Sequence, residues 1–433
     1  MFANTNKVGL ALSGGGYRAV AFHLGTLKKL NEMGLLQHVD IISAISGGAI
    51  TGACYCIREG DFNRFYQDIY LGLQTKNVIR RVIFSWFGLR VMLLIIIFLG
   101  SFYSLFTPFP YPLLFPILIA AIIILIIKFQ FWIFPISKRI EEIFNQFFFE
   151  NKTLIALPEH PVLVIGATNL QTARPFIFSR ERMTDSTYEF SENPVNFNAT
   201  NFPIARSVMA SCCIPFAFTP VTIEKEYFSQ ATKVGNIRPL LIDGGVYDNQ
   251  GIHKIMQKGQ YECHTVIVSD AGSGSTIEQK FNNTLSLLSE TANIFMSRIK
   301  KTQMVLDIYD NASKLKKEIS YFSLAWDFEK CIPGFYQNLL KHQIPQSVLD
   351  SHKFKAEWIA EPIKYEIEII THLEEKTGYA SINYPTNEEK NMARKVKTSL
   401  SSLNKINIDC LVKQAEALAE LQIKLYCPSL LRI

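Results

Sequence analysis

The chain has 433 residues, of which 48% are hydrophobic and 19% charged, and its formal net charge is +6. This length is enough for one large or two modest domains. No Lys/Arg run reaches the density of a nucleic-acid-binding arm, so we expect the basic residues to suit an anionic membrane surface and exclude nucleic acid as a partner.

The first part of the chain predicts two strand–turn–helix units in succession. The apolar run 8–12 indicates a buried strand, and Ser13-Gly14-Gly15-Gly16 follows it as a tight turn. Apolar residues then recur at helical spacing over 17–33, which predicts a helix. A second strand is predicted at 39–45, with a helix after the break at Ser46-Gly47-Gly48. Repeated units of this kind are typical of an α/β fold with a mainly parallel sheet flanked by helices.

A long apolar block interrupts this pattern. No charged residue occurs at the 37 positions from Val91 to Ile127. A membrane helix needs about 20 apolar residues, so the block fits two short spans. Three prolines lie at its middle, where a turn is required: Pro108, Pro110 and Pro112. Basic residues flank both ends: Arg80, Arg81, Arg90, Lys128, Lys138 and Arg139.

We therefore predict a membrane-inserted helical hairpin at 82–136, with both of its ends on the cytoplasmic side. A re-entrant insertion and a hairpin buried in a soluble core remain as alternatives. The N-terminal residues have too short an apolar run for a secretory signal, which agrees with a cytoplasmic location for the rest of the chain.

The remaining segments complete the predicted organisation. Strands are predicted at 161–168, 174–179, 239–243 and 265–270. Helices are predicted at 204–213, over most of 276–320 and 345–375, and at 401–425. We divide the chain into three units. The catalytic domain is in two parts, 1–78 and 141–275, and the inserted hairpin at 79–140 lies between them. The C-terminal part, 276–433, is mainly helical and packs on the catalytic domain.

Ser46 is the candidate nucleophile. It stands in Ala44-Ile45-Ser46-Gly47-Gly48, directly after a strand and directly before a helix. A sharp turn at this junction lifts the hydroxyl above the edge of the sheet and tolerates only small neighbours. The positive end of the following helix points at the same place and favours developing negative charge.

Gly14, Gly15 and Gly16 form a candidate anion cradle. Glycines between a strand and a helix expose backbone N–H groups, which bind a phosphate or a tetrahedral oxyanion. Arg18, two residues on, is placed to hold this loop or a lipid phosphate.

The same residues allow another interpretation. Gly14-x-Gly16-x-x-Ala19 matches a dinucleotide-binding fingerprint, which also requires an acid at the end of the second strand. Here that strand ends in Ala44-Ile45-Ser46, and Asp40 lies at its beginning. No Gly-Lys-Ser/Thr follows the loop, so a P-loop is excluded.

Asp243 is the candidate base, because it ends the strand at 239–243 and is followed by two glycines. A turn-forming Asp-Gly is the alternative. No histidine occupies a context that marks it as a base; the ones considered are His23, His253, His264, His342, His352 and His372. The eight cysteines show no zinc-binding spacing, so we expect buried free thiols in a reducing compartment and no metal.

Taken together and in this order, three motifs resemble the patatin-like phospholipase family: Gly14-Gly15-Gly16-Tyr17-Arg18, Ala44-Ile45-Ser46-Gly47-Gly48 and Asp243-Gly244-Gly245. Shorter segments agree with the family as well: Ala167-Thr168-Asn169, Arg174-Pro175 with Phe178, Ala210-Ser211 with Ile214-Pro215, and Tyr247-Asp248-Asn249. The resemblance covers roughly 7–75 and 150–275. Two features depart from the family pattern: Ala44 replaces the usual first glycine of the serine motif, and the apolar hairpin splits the domain.

The resemblance implies a patatin-like α/β fold and a Ser46–Asp243 dyad without a catalytic histidine. It also implies an oxyanion hole at Gly14, Gly15 and Gly16, to which we add Gly47, and no cofactor. The expected substrates are acyl esters of membrane phospholipids or other lipids, cleaved as by a phospholipase A or lysophospholipase. A nucleotide-binding membrane protein and a catalytically silent membrane scaffold remain as alternatives.

Overall fold

The structure is a computed structural model of the chain, and it describes residues 7–58, 61–229, 237–274, 283–304, 306, 308 and 316–432. Over these residues nine strands form one mixed sheet. They are β1 (Val8–Leu12), β2 (Ile41–Ala44), β3 (Val162–Asn169), β4 (Arg174–Phe178), β5 (Met183–Asp185), β6 (Val221–Thr222), β7 (Leu240–Asp243), β8 (Thr265–Asp270) and β9 (Glu318–Ser323).

The sheet order is β5-β4-β3-β2-β1-β8-β9, and all neighbours from β3 to β9 run parallel. β4 and β5 extend the sheet antiparallel beyond β3, and β7 pairs antiparallel with both β3 and β6. Every residue of β1 and β8 is buried, as expected for central parallel strands that are covered on both faces. The predicted α/β class with a mainly parallel sheet is confirmed.

The helices before β3 are α1 (Gly16–Glu32), α2 (Gly47–Cys56), α3 (Phe62–Thr75), α4 (Val78–Ile83), α5 (Trp86–Tyr103), α6 (Leu114–Ile133) and α7 (Ile136–Phe144). Those between β5 and β9 are α8 (Ser186–Glu189), α9 (Ile204–Ser211), α10 (Gly245–Asp248), α11 (His253–Met256) and α12 (Thr284–Gln303). The C-terminal ones are α13 (Cys331–Leu340), α14 (Gln346–Ser351), α15 (Ala356–Ala360), α16 (Glu366–Thr377), α17 (Asn387–Lys395) and α18 (Lys405–Tyr426).

The last long helix belongs to the main core. α18 packs along α1 and also against β9, so its buried leucines join the same hydrophobic cluster as those of α1. Helix was predicted over most of 276–320, and α12 lies in this range, while 276–282, 305, 307 and 309–315 lie outside the described residues. One strand was not predicted. The sequence EISYFS forms β9, the edge strand beside β8, because alternating β-branched and aromatic residues suit a sheet.

The apolar block forms the two antiparallel helices α5 and α6, which contact each other through Phe98, Phe102 and Phe115. Ser101 is the one buried residue in α5, and α6 has none. Both helices are long and apolar enough to cross a membrane by length and composition. The alternative of a hairpin buried in a soluble core is wrong, because side chains such as Leu99 and Ile117 are more than half exposed.

Candidate active site

The register of three strands brings Ser46 and Asp243 to the same level of the sheet. Ala44 of β2 pairs with Ile165 of β3. Two residues further along β3, Ala167 pairs with Asp243 of β7. Because Ser46 also lies two residues beyond Ala44, both side chains stand just past the carboxyl end of β2. Carboxyl ends of parallel strands are the usual location of sites in α/β sheets.

Ser46 occupies a strained turn between β2 and α2. Its φ and ψ are 51° and −116°, a conformation that residues other than glycine rarely adopt. The turn fits tightly on β1, since a Cβ added to Gly48 would lie 2.2 Å from the Leu12 carbonyl oxygen. The Gly48 N–H donates to the Ser13 carbonyl at 3.1 Å. The predicted sharp turn therefore exists, and the surrounding backbone holds it in place.

Asp243 is almost fully buried, with 7% of its surface exposed, and its carboxylate interacts with the Ser46 side chain. Its Oδ1 accepts the Gly245 N–H at 2.7 Å. Burial raises the pKa of Asp243 to about 7, while hydrogen bonds from the Gly245 N–H and the Ser46 side chain oppose this shift. A carboxylate with a pKa near neutrality is well matched to general-base work at physiological pH.

The glycine loop lies against the serine turn. Gly15 and Gly16 have φ of 145° and 57°, which favour glycine. A Cβ on Gly14 would lie 3.3 Å from the Ser46 Cβ, and one on Gly47 would lie 2.3 Å from the Gly16 carbonyl oxygen. The loop and the start of α2 thus form one continuous surface around the Ser46 hydroxyl.

The backbone N–H groups of this surface are not equivalent. The Gly14 N–H donates to the Asn249 carbonyl at 2.9 Å, so it is already used. In the described part of the chain no residue accepts the N–H of Gly15, Gly16 or Gly47. Three amide donors therefore remain for a ligand, and Gly14 contributes by the space its missing side chain leaves beside Ser46.

A C-terminal segment that contains Ser399 and Leu400 packs against the glycine loop. The Tyr17 N–H donates to the Ser399 carbonyl at 2.8 Å, and a Cβ on Gly16 would lie 2.6 Å from that same oxygen. The next residue, Leu400, accepts the N–H of Val78 at the start of α4, at 3.1 Å. One irregular stretch of chain thus contacts both the loop and the segment that leads into the apolar hairpin.

Arg18 is directed at this support and not at Ser46. Its Nη1 donates to Ser273 Oγ at 3.1 Å and to the Val396 carbonyl at 3.3 Å. Burial lowers the pKa of Arg18, and the nearby Asp270 carboxylate counteracts this. Of the two roles offered by the sequence, these contacts favour loop support over phosphate binding.

Ser211 is a residue to which the sequence assigned no role. Its hydroxyl accepts the Ser46 N–H at 2.8 Å and donates to the Gly166 carbonyl at 2.6 Å. The Cys213 carbonyl, two residues on, accepts the Asp243 N–H at 2.8 Å. The end of α9 therefore fixes both members of the pair. The only sequence signal was the Ala210-Ser211 match to the family, which carries no mechanism by itself.

The histidines have other partners. His23 is fully buried between Ser269 Oγ and the Ser13 carbonyl, at 2.8 Å from each, and burial lowers its pKa to about 4. Burial likewise lowers the pKa of His253 to about 4. Among the residues described, none of the histidines hydrogen-bonds to Ser46 or Asp243.

The cysteines and the strand β2 test two further interpretations of the sequence, a metal site and a dinucleotide-binding site. All eight cysteines are unpaired and buried, as predicted. Within the described ranges no group of three or more His, Cys, Asp or Glu side chains could hold a metal ion. β2 ends at Ala44 and leads into the serine turn, so the carboxylate that a dinucleotide ribose needs is not at this strand end.

A mixed α/β sheet that presents a serine turn, a buried carboxylate and free amides at one edge is an arrangement found in ester hydrolases. The sequence model of the family described as patatin-like phospholipase matches residues 10–255, more than half of the chain. The chain belongs to this family.

Individual relatives are distant. A segment of 43 residues is 42% identical to SPO1 of Saccharomyces cerevisiae, named as a candidate meiotic phospholipase, and it spans 10% of this chain and 7% of the yeast protein. Human GIVD cytosolic phospholipase A2 is 10% identical with a TM-score of 0.49, over 99% of this chain and 62% of the human one. VipD of Legionella pneumophila is 14% identical with a TM-score of 0.34, over 98% of this chain and 87% of the VipD chain.

Proposed function

We propose that this chain is a serine lipid acyl hydrolase of phospholipase A or lysophospholipase type, with Ser46 as nucleophile and Asp243 as its base. The observation that carries the proposal is the contact between the Ser46 side chain and a buried Asp243 whose pKa is about 7. Membership of the patatin-like phospholipase family supports it.

In the first half-reaction Asp243 takes the Ser46 proton as the Ser46 oxygen attacks the ester carbonyl carbon. The carbonyl oxygen becomes an oxyanion, which the N–H groups of Gly15, Gly16 and Gly47 receive. The intermediate then collapses, the ester C–O bond breaks, and Asp243 returns the proton to the departing alcohol. The acyl group stays on Ser46.

In the second half-reaction water takes the place of the alcohol. Asp243 accepts a proton from the water as its oxygen attacks the acyl-enzyme carbonyl. Collapse releases the fatty acid and returns the proton to Ser46. The scheme uses one carboxylate as base and acid in turn, and it requires no histidine, metal or cofactor.

The test is labelling with a fluorophosphonate, which forms a stable bond with an activated serine, together with release of fatty acid from phospholipid vesicles. We expect the wild type to be labelled, and Ser46→Ala and Asp243→Asn to lose labelling and hydrolysis by at least about 10³-fold. Ser207→Ala is a matched control, since the hydroxyl of this buried serine donates to the Ile204 carbonyl within its own helix. Equal labelling of wild type and Ser46→Ala would disprove the mechanism, and absence of labelling in the wild type would favour a silent scaffold.

We further propose that α5 and α6 insert into the bilayer as a hairpin, with residues 1–78, 141–275 and 276–433 on the cytoplasmic side. The exposed apolar side chains of both helices and the basic residues at their ends support this. At the base of the hairpin Arg90 Nη1 donates to the Ile133 carbonyl at 2.6 Å, which holds the two ends side by side.

A reporter inserted after Pro110 tests this topology. We expect it on the opposite side of the membrane from a reporter fused to the C-terminus, because Pro110 lies in the turn between α5 and α6. Both reporters on the same side would show that the hairpin enters the bilayer without crossing it.

A further inference from the structure

The helix α12 carries a row of exposed apolar side chains. Five of them lie at spacings of one, seven, eight and twelve residues from the first, which places them on one face of a helix. Their exposed fractions are large: Leu287 56%, Leu288 46%, Ile294 59%, Phe295 60% and Ile299 38%. A face of this kind on a water-soluble surface normally marks an interaction site.

The opposite side of α12 faces the protein beside the candidate active site. Lys300 Nζ lies 2.5 Å from Oδ2 of Asp270, whose side chain is fully buried at the end of β8. α12 also packs against α10, which begins two residues after Asp243. The apolar row therefore points away from the body of the protein next to the Ser46–Asp243 pair.

The Lys300–Asp270 pair also links α12 to the glycine loop. Asp270 Oδ1 accepts the Gly272 N–H at 2.9 Å, and the Ala271 N–H donates to Ser13 Oγ at 2.8 Å. Ser13 is the residue directly before Gly14. The position of α12 is thus fixed by the same residues that hold the loop.

The charges of α12 identify the chemistry of its partner. Lys300 is paired with Asp270 on the side that faces the protein. The other charged side chains described on α12 are one acid, Glu290, and two bases, Arg298 and Lys301, both in the last two turns. An apolar face bordered by basic residues is typical of helices that lie in the headgroup region of an anionic bilayer.

We propose that α12 is an interfacial helix, whose apolar face lies in the surface of an anionic lipid bilayer and holds the site against its substrate. This inference rests on the proposed lipid hydrolase function, because the site then faces the bilayer from which the lipid comes. It does not depend on whether the α5–α6 hairpin crosses the membrane.

The first experiment measures where α12 lies. The eight native cysteines are buried, so a cysteine introduced by Phe295→Cys can be labelled selectively with an environment-sensitive fluorophore in the full chain. The labelled chain is reconstituted into phosphatidylcholine vesicles with and without 30 mol% phosphatidylserine (about the anionic content needed for a strong surface potential). Ile367→Cys on α16, where Ile367 is 78% exposed, is the matched control.

We expect lipid-attached nitroxides to quench the label at position 295 at least about threefold more than the label at position 367, and more so with phosphatidylserine present. Aqueous iodide should show the reverse preference. Equal iodide quenching at both positions would overturn the proposal. Protection of position 295 from iodide without quenching by the lipid nitroxides would also overturn it, because a second copy and not lipid would then cover the face.

The second experiment separates this proposal from the proposed function. In the double variant Leu288→Glu, Phe295→Glu we expect hydrolysis of vesicle phospholipid to fall by about tenfold or more, because two carboxylates on the face oppose lipid insertion. Hydrolysis of a short-chain soluble ester and fluorophosphonate labelling should remain within about twofold. Unchanged vesicle hydrolysis would overturn the interfacial role, whereas Ser46→Ala tests the hydrolase function independently of α12.

Discussion

The turns β1–α1 and β2–α2 have the same architecture but supply different chemistry. Each follows a buried parallel strand and opens a helix through a residue with positive φ. The first turn is made of glycines and offers backbone N–H groups, while the second is built around Ser46 and offers a hydroxyl. One supersecondary unit, used twice on neighbouring strands, thus provides both a candidate nucleophile and a candidate oxyanion cradle.

After replacement of Ser46 or Asp243, the largest expected effect comes from adding a methyl group to the first turn. Gly16→Ala introduces a Cβ at a φ of 57° and 2.6 Å from the Ser399 carbonyl oxygen, so the loop must shift. We expect the rate of fluorophosphonate labelling to fall by about 10²–10³-fold, the cost of losing one oxyanion donor. Gly34→Ala is the matched control, because Gly34 has a φ of 70° with nothing within 4 Å of the added Cβ. Similar losses in both variants would mean that backbone strain alone, not the cradle, is responsible.

The pH dependence of labelling tests whether Asp243 acts as the base for Ser46 in the second turn. If the pKa is about 7, labelling by fluorophosphonate should rise about tenfold per pH unit below neutrality and level off above it. Stability should change in the opposite sense. The folded chain binds more protons at Asp243 than the unfolded chain between about pH 4 and 7, so its free energy of unfolding falls as pH rises through this window.

Asp243→Asn removes this titration and provides the check. The free energy of unfolding of Asp243→Asn relative to wild type should increase between pH 4 and 8, by up to about 4 kcal/mol, because the wild type must ionise a buried carboxyl. A pH-independent difference between the two proteins would contradict the raised pKa.

A smaller effect is expected where α9 holds the serine turn. Ser211→Ala leaves the Ser46 N–H and the Gly166 carbonyl without their present partner. We expect a loss of about 1–3 kcal/mol in unfolding free energy and about tenfold in kcat, with KM changed little. Ser207→Ala on the same helix should leave kcat unchanged. Loss of stability without any loss of kcat would show that Ser211 serves the fold alone.

The smallest effect is expected at the departure from the family pattern. Ala44 is fully buried at the end of β2, and its methyl group faces Gly52 of α2, 3.5 Å from a Cβ added there. Ala44→Gly restores the family residue, so kcat should stay within about twofold while stability falls by about 1 kcal/mol through added chain entropy. A large gain in kcat would instead show that Ala44 impairs the serine turn.

The sequence predicted those parts of the molecule that depend on local patterns. Gly16, Ser46 and Asp243 lie at strand ends that apolar runs and glycines mark clearly, and the α5–α6 hairpin follows from the charge-free block. The strand β9 was missed because its six residues adjoin a segment of helical character. The two turns, the strand end at Asp243 and the hairpin were predictable because each is determined by residues close to it in the sequence.

The supports of the candidate site were not predictable in the same way. Ser211 reaches Ser46 across 165 residues, and the Ser399 carbonyl reaches Tyr17 from near the other end of the chain. A backbone carbonyl can come from any residue type, so such a contact leaves no trace in composition or spacing. The use of the Gly14 N–H by Asn249 is a contact of the same kind.

The contact of Ser399 with Tyr17 sets an order of events during synthesis. The ribosome releases the glycine loop and α5–α6 well before it releases Ser399. On the proposed anchoring, the nascent hairpin meets the bilayer while the loop still lacks its backbone partner. On the proposed function, hydrolysis then begins only after the chain has reached its membrane, so an incompletely synthesised chain does not cleave lipids elsewhere.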